Sequence, residues 1–240
     1  MRCEPGAMNP SVATPAVFLH GVGGAGPSAW PTQAPLARER ECLFVDRIAA
    51  GDDPDRTLDW VRSHAPDRFH LVGHSYGGAV AMLVAAAEPQ RVVSMVLIDP
   101  AALAVCPGAT HTAAHIGVLA PVFARAEDPD LTNPQFSELF GQATGNPPPP
   151  LPDDQLDALV DHLRAVRPPW EVAVDGWVVA RIPTLVVVGD ADPMYAEVGS
   201  ALAACGAEMV EHTGLGHRPH DDPGITERIR AHWLAVEGVA

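Results

Sequence analysis

The segment Gly73-His74-Ser75-Tyr76-Gly77 follows the apolar run Phe69 to Val72 and precedes an Ala-rich stretch. A G-x-S-x-G on a strand-turn-helix corner holds its serine in a strained backbone conformation and lifts the hydroxyl above the sheet edge. Glycines two residues to either side leave room for strand and helix to approach. The chemistry this predicts is nucleophilic attack by Ser75. A serine at a helix start is otherwise commonly a cap.

A serine hydroxyl needs a base, and histidine suits that task because it titrates near neutral pH. Of the eleven histidines, His217 stands out: Gly214-Leu215-Gly216-His217 closes a loop after the last predicted strand, on the same edge as Ser75. His212 and His220 are neighbouring rivals, one at the strand end and one near the helix start. An orienting carboxylate completes the set. Val188-Gly189-Asp190-Ala191-Asp192-Pro193 offers Asp190 and Asp192, either of which serves equally on spacing, and one of which has the alternative role of capping the helix near Tyr195.

The elements that would position these residues alternate along the chain, as in a parallel sheet flanked by crossover helices. Strands are predicted at Ala16 to Leu19, Cys42 to Val45, Phe69 to Val72, Val92 to Ile98, Thr184 to Val188 and Glu208 to Glu211. Helices are predicted around Ala34 to Arg40, Arg56 to Ser63, Gly78 to Ala87, Tyr195 to Ala204 and Ile225 to Val236. The Ala79 to Ala87 helix is apolar nearly all round and is expected against the centre of the sheet. The rhythm breaks between Ala101 and Arg181, which carry eleven of the 25 prolines, Pro107, Pro121, Pro129, Pro134, Pro147 to Pro150, Pro152, Pro168 and Pro169. We expect short helices and loops there, not long helices. The domain organisation is thus a core of residues 1–100 and 182–240 with a cap inserted at 101–181. Apolar Leu119, Val122, Phe123, Phe136, Leu139, Phe140, Trp170 and Trp177 in that cap are expected to pack on the core or line a pocket.

With 240 residues the chain can bury a sizeable core, as one large domain or two small ones. Thirty acids against fifteen bases give a net charge of -15, which argues against nucleic-acid and anionic-membrane partners. No apolar run approaches the roughly 20 residues of a spanning helix. All the bases are Arg, so Schiff-base, P-loop and Ser-x-x-Lys chemistry are excluded. Cys3, Cys42, Cys106 and Cys205 form no C-x-x-C pair and are expected as buried, inert thiols without disulfides. Residues Met1 to Pro15 hold no apolar signal region, and a cytoplasmic address is the default expectation.

Ser, Asp and His in this order, each on a strand-exit loop, resemble the α/β-hydrolase superfamily over nearly the whole chain outside the cap. The fold the resemblance implies is α/β, a mostly parallel sheet of about six strands with flanking helices. It implies Ser75 as nucleophile, Asp192 as acid and His217 as base. It also implies an oxyanion hole from the backbone N–H groups of Val22 and Tyr76, with His20-Gly21 opening the oxyanion loop and Trp30 matching a familiar aromatic. The short N-terminus is similar to the plant methylesterase and hydroxynitrile lyase branch. The lyases' Thr and Lys are missing, so cyanohydrin cleavage is not expected, and Arg47-Ile48-Ala49-Ala50-Gly51-Asp52-Asp53 replaces the familiar G-x-G-x-S loop.

The function expected is hydrolysis of an uncharged, apolar small-molecule ester, lactone or thioester through an acyl-enzyme. His20, Trp30, Phe123, Phe140, Trp170 and Trp177 are the candidate substrate contacts. Carbon–carbon bond hydrolysis with the same triad and a non-catalytic ligand-binding role are the alternatives. Gly21-Val22-Gly23-Gly24-Ala25-Gly26 with Asp46 could read as a dinucleotide fingerprint, but His20, Pro27 and Trp30 fit an oxyanion loop better. His111 and His115 have helical spacing without the Glu of a zinc motif. No cofactor and no metal are expected, and the sequence leaves the oligomeric state open.

Overall fold

The protein is described from a computed structural model covering residues 13–51, 53–145 and 150–238. Cys3, Asp52, Pro147 to Pro149 and the start of the chain lie outside the described residues.

Six strands, β1 (Ala16–Leu19), β2 (Cys42–Val45), β3 (Phe69–His74), β4 (Val92–Ile98), β5 (Thr184–Val188) and β6 (Glu208–Glu211), form one sheet of order β2-β1-β3-β4-β5-β6. Every pairing is parallel. The chain winds outward from β1 to β2, then returns to lay β3 on the other side of β1. That reversal opens a crevice at the carboxyl ends of β1 and β3, where ligands of open α/β sheets bind. The inner strands β1, β4 and β5 are short apolar runs buried almost throughout, as strands covered on both faces are, while the edge strand β6 is exposed at both ends.

Alternation along each strand sorts side chains into two cores. Val17, Leu19, Leu71, Leu97, Val186 and Val188 join the larger, under α1 (Pro54–His64), α2 (Tyr76–Ala87) and α6 (Pro193–Ala204). Phe18, Val72, Ile98 and Val187 join the smaller, with Trp30 and with Ile229 and Trp233 of α7 (Pro223–Glu237). Helix α2 is buried on nearly every side against β3, β4 and β1, as its all-apolar sequence requires. Three helices begin at a proline headed by an aspartate: Asp53, Asp192 and Asp222 each accept backbone N–H bonds of the first turn. Proline at the first helical position loses no bond there, so these helices start earlier than their apolar periodicity suggests. Residues Ala34–Arg38 form a 3₁₀ turn instead of a longer helix.

Between β4 and β5 the chain makes α3 (Thr110–Phe123), α4 (Asn133–Thr144) and α5 (Asp153–Ala165), then two 3₁₀ turns. These helices have 14, 12 and 13 residues, which corrects the expectation of short ones. Four of the eight described prolines there stand at helix starts: Pro134 opens α4, Pro152 caps α5, and Pro168 and Pro169 begin a 3₁₀ turn. Only Pro121 lies inside a helix among the described residues. Val122, Phe136, Val160 and Leu163 bury a third core of their own, with Leu139 and Phe140 packed on it. Cys42, Cys106 and Cys205 are half-buried and free, not fully buried as expected. Burial still pushes the Cys42 thiol up to about 11 and raises that of Cys106.

Candidate active site

The turn after β3 gives Ser75 φ 54° and ψ −123°, a region that residues with a side chain avoid. Its neighbours are chosen by space: a Cβ on Gly77 would fall 2.1 Å from the Leu19 carbonyl oxygen. The Ser75 N–H is held by the Ile98 carbonyl, and its own carbonyl accepts from Gly78 and Ala101. The strain is therefore over-determined by strands on both sides. Tyr76 is the first residue of α2, at the positive end of the helix dipole.

The loop after β1 lies against this turn. A Cβ on Gly21 would sit 2.9 Å from the Ser75 Cβ and 3.4 Å from its Oγ, so the absent side chain leaves open the space beside the Ser75 hydroxyl. His20 is buried and shapes this loop. Its Nε2 accepts from the Arg47 N–H at 3.0 Å, which leaves Nδ1 to donate to the Gly21 carbonyl at 2.7 Å. Arg47 is itself fully buried. Its guanidinium donates to the His20 carbonyl and lies over the Tyr76 ring, 4.8 Å from the centroid. One cation thus spans the two segments that carry Val22 and Tyr76. The Tyr76 hydroxyl donates to the Arg167 carbonyl at 2.8 Å, and Arg167 pairs with Asp53 and Asp55 at the start of α1.

His217 ends the loop after β6, and its Nδ1 faces Asp99 Oδ2 at 3.1 Å. Asp99 is the residue after β4, wholly buried, with φ 39°. Its Oδ1 accepts from the Gly189 N–H at 2.6 Å, and its own N–H donates to the Val187 carbonyl. This overturns the pairing expected for Asp192. The Asp192 carboxylate caps α6 through the Met194 N–H and faces His115 Nδ1 at 3.3 Å. Asp190 does not orient the imidazole either: it accepts from Gly214 and Gly216, both at 2.9 Å, and fixes the loop that delivers His217. Those N–H groups, Gly214 foremost, hold its carboxyl below the usual range.

Below the imidazole, His74 Nε2 donates to the His217 carbonyl at 2.8 Å. His74 is kept neutral first by burial and then by His220 and His217. His220 is buried beside Trp30 and His74, and burial lowers it to about 4. His220 is thus a core residue beneath the loop, and His212 pairs with Asp222. Above the imidazole, the Tyr195 ring stacks on His217 with its hydroxyl 3.3 Å from Nε2.

The expected substrate contacts divide. Trp30 is fully buried in the smaller core against Phe18, on the sheet face opposite α2, and has no surface to offer a substrate. Trp177 is 41% exposed with Arg181 over its ring, which makes it a surface residue. Phe140 packs in the third core and meets the edge of Phe123. Phe123 and Trp170 meet edge to face at 5.5 Å and line a cavity of about 450 Å³ together with Val166, Arg167 and Glu127.

The 21–26 stretch turns into a short 3₁₀ segment, Gly26–Ala29, instead of opening the α-helix a dinucleotide phosphate needs. His111 gives its N–H to Glu197, apart from the His115 pairing. Among the described residues, no group of three His, Cys, Asp or Glu side chains is placed to hold a metal, and no helix is long and apolar enough to cross a membrane.

Asp99, Arg47 and Tyr195 were not found from sequence. Asp99 reads there as the end of a strand before Pro100. Arg47 is the one base in a loop that also carries Asp46, Asp52 and Asp53, and Tyr195 is an ordinary first-turn residue. Asp-Pro pairs head α1, α6 and α7, but Asp99-Pro100 is one as well, so the pair does not separate Asp192 from Asp99.

Over 141 residues the chain is 33% identical to lipase LipV of Mycobacterium tuberculosis, covering 55% of this chain and 50% of that protein. It is also 33% identical over 140 residues to the dihydrolipoyllysine-residue acetyltransferase component of the acetoin cleaving system of Pseudomonas putida, covering 53% and 35%. The match thus spans half or less of each relative. A hydrolase from Pseudomonas aeruginosa PA01 superposes with a TM-score of 0.60 at 19% identity, over 95% of this chain and 91% of that one. The sequence profile of the alpha/beta hydrolase family matches residues 16–228. A match over that span, on a parallel sheet with a strained serine at its switch point, means that the chain belongs to the alpha/beta hydrolase family.

Proposed function

We propose that the protein is a serine hydrolase that cleaves an uncharged carboxylic ester, lactone or thioester through an acyl-enzyme. The observation that carries the reading is the hydrogen bond from His217 to the buried Asp99 at the sheet edge that also presents Ser75. Ser75 Oγ attacks the carbonyl carbon as its proton passes to His217 Nε2. Asp99 holds the imidazole with its proton on Nδ1 and stabilises the imidazolium. The backbone N–H groups of Val22 and Tyr76 receive the oxyanion, each such donor contributing about 2.7 to 4 kcal/mol in comparable sites. The bond to the leaving oxygen or sulfur breaks as His217 returns the proton to it. Water then attacks the acyl-enzyme by the same route and regenerates Ser75.

The helices between β4 and β5 act as the cap in this reading, and the cavity lined by Phe123 and Trp170 with Glu127, Arg164, Arg167 and Glu171 takes the end of the substrate away from Ser75. Its Arg167 wall is one hydrogen bond from the Tyr76 hydroxyl. The 33% identity to a lipase supports ester chemistry. The test is a panel of p-nitrophenyl esters from acetyl to dodecanoyl, with lactones, thioesters and vinylogous diketones, on wild type and Ser75→Ala. The expected result is ester, lactone or thioester turnover that Ser75→Ala abolishes. Turnover of the diketone alone would make the protein a carbon–carbon hydrolase, and none above the Ala variant would overturn the reading.

A further inference from the structure

Nε2 of His217 must take the Ser75 proton and then hand it to the departing atom. That atom has to lie within hydrogen-bonding reach of Nε2 while still bonded to the carbon attached to Ser75 Oγ. The Tyr195 hydroxyl occupies the approach to Nε2, 3.3 Å away, with the Ser75 side chain beside it. Its ring lies nearly parallel to the imidazole, 18° off with centroids 4.6 Å apart, and so bounds the space on that side. Two oxygens cannot share the position.

The backbone below Tyr195 has little freedom to yield. Three residues before it, Asp192 caps α6 and faces His115 of α3. Two residues after it, Glu197 accepts from the N–H groups of His111 and Thr112 and from the Thr112 hydroxyl. Helix α6 is tied to α3 on both sides of Tyr195, which leaves side-chain rotation as the way to clear the site. A small alcohol has only to displace the hydroxyl, whereas a bulky one has to swing the ring off His217.

We infer that Tyr195 is the residue that sets specificity for the leaving group, its hydroxyl holding the leaving-group position in the free enzyme and its ring limiting the size of the alcohol. This rests on the reading of Ser75, His217 and Asp99 given above.

The experiment compares wild type, Tyr195→Phe and Tyr195→Ala on two ester series. One keeps a butanoyl group and enlarges the alcohol from methyl to benzyl; the other keeps the methyl alcohol and lengthens the acyl chain. Labelling of Ser75 by a fluorophosphonate in each variant reports an intact nucleophile. Tyr195→Phe is expected to raise kcat/KM for every ester by about two- to twelvefold, the worth of one ordinary hydrogen bond. Tyr195→Ala is expected to favour benzyl over methyl esters by at least about tenfold relative to wild type, the scale of a changed apolar pocket, with the acyl ranking unchanged. An unaltered alcohol ranking, or an equal change in both series, would overturn the inference. So would a loss in Tyr195→Phe that grows with leaving-group basicity, since the phenol would then be donating the proton. A wild type that neither hydrolyses esters nor labels at Ser75 would instead sink the reading of the site itself.

Discussion

Replacing Asp99 by Asn keeps the size of a fully buried side chain and changes only what it donates and accepts. The Gly189 N–H, 2.6 Å away, can be met only by the amide oxygen. The amide NH₂ is then aimed at His217 Nδ1, now 3.1 Å from a carboxylate oxygen. Facing a donor, Nδ1 becomes an acceptor and the ring proton moves to Nε2, where it blocks transfer from Ser75. The wrong tautomer costs about 10⁴-fold in kcat in a well-studied triad, or about 5.5 kcal/mol at 1.36 per tenfold. Because both buried hydrogen bonds survive, the thermal midpoint should move little. Asp192→Asn keeps the cap on Met194, since Asn caps as well as Asp, and loses only a half-exposed pairing with His115. Its kcat should stay within a few-fold of wild type. The assay is kcat on the best ester of the panel, with thermal unfolding of each variant. A loss of about 10³ or more in Asp192→Asn beside a nearly normal Asp99→Asn would return the acid to the loop after β5.

Arg47→Met should lower kcat by up to about 10²-fold, the scale of a misplaced oxyanion donor. Loss of the guanidinium leaves the buried His20 carbonyl without that donor and should also cost about 1 to 3 kcal/mol of stability; an unaltered kcat in the folded variant would show that the contacts to His20 and Tyr76 do not position the loop. Gly77→Ala should destabilise the fold by about 3 kcal/mol or more by overpacking, because its Cβ would meet the Leu19 carbonyl at 2.1 Å, whereas Gly108→Ala enters open space. Urea midpoints for the two variants check this, and equal midpoints would contradict it. Acid should also weaken the fold. Burial lowers His70 and His220 from 6.5 to about 4, so between those values the unfolded chain binds protons that the folded one refuses. Stability is therefore full above about pH 6.5 and falls as pH drops towards 4, by at most about 3 kcal/mol per histidine. Urea unfolding at pH 7.0 and pH 4.5 measures the difference, and coincident curves would exclude it.

Most of the sheet was legible because strands covered on both faces, β1, β4 and β5 above all, are short apolar runs between turn residues. Five of the six strands match their predicted limits, and β3 extends only to His74. The elbow and His217 were legible because glycines and loop ends leave marks in sequence. Asp99 was not, since its partnership depends on register: pairing of Ile98 with Val187 sets Asp99 beside Gly189 and under the returning loop. No local pattern encodes that neighbour, and the family resemblance pointed to Asp192. Counting prolines misjudged α3 to α5 because a proline's effect depends on its position in the helix. Trp30 was misplaced for a similar reason, as only the alternation of β1 decides that its partner Phe18 faces away from α2.

Activation of Ser75 as a nucleophile is read out by intact-mass and peptide mapping after treatment with a fluorophosphonate. One adduct per chain is expected, on Ser75, formed with loss of esterase activity and absent from Ser75→Ala. An adduct on another residue, or labelling undiminished in Ser75→Ala, would contradict it.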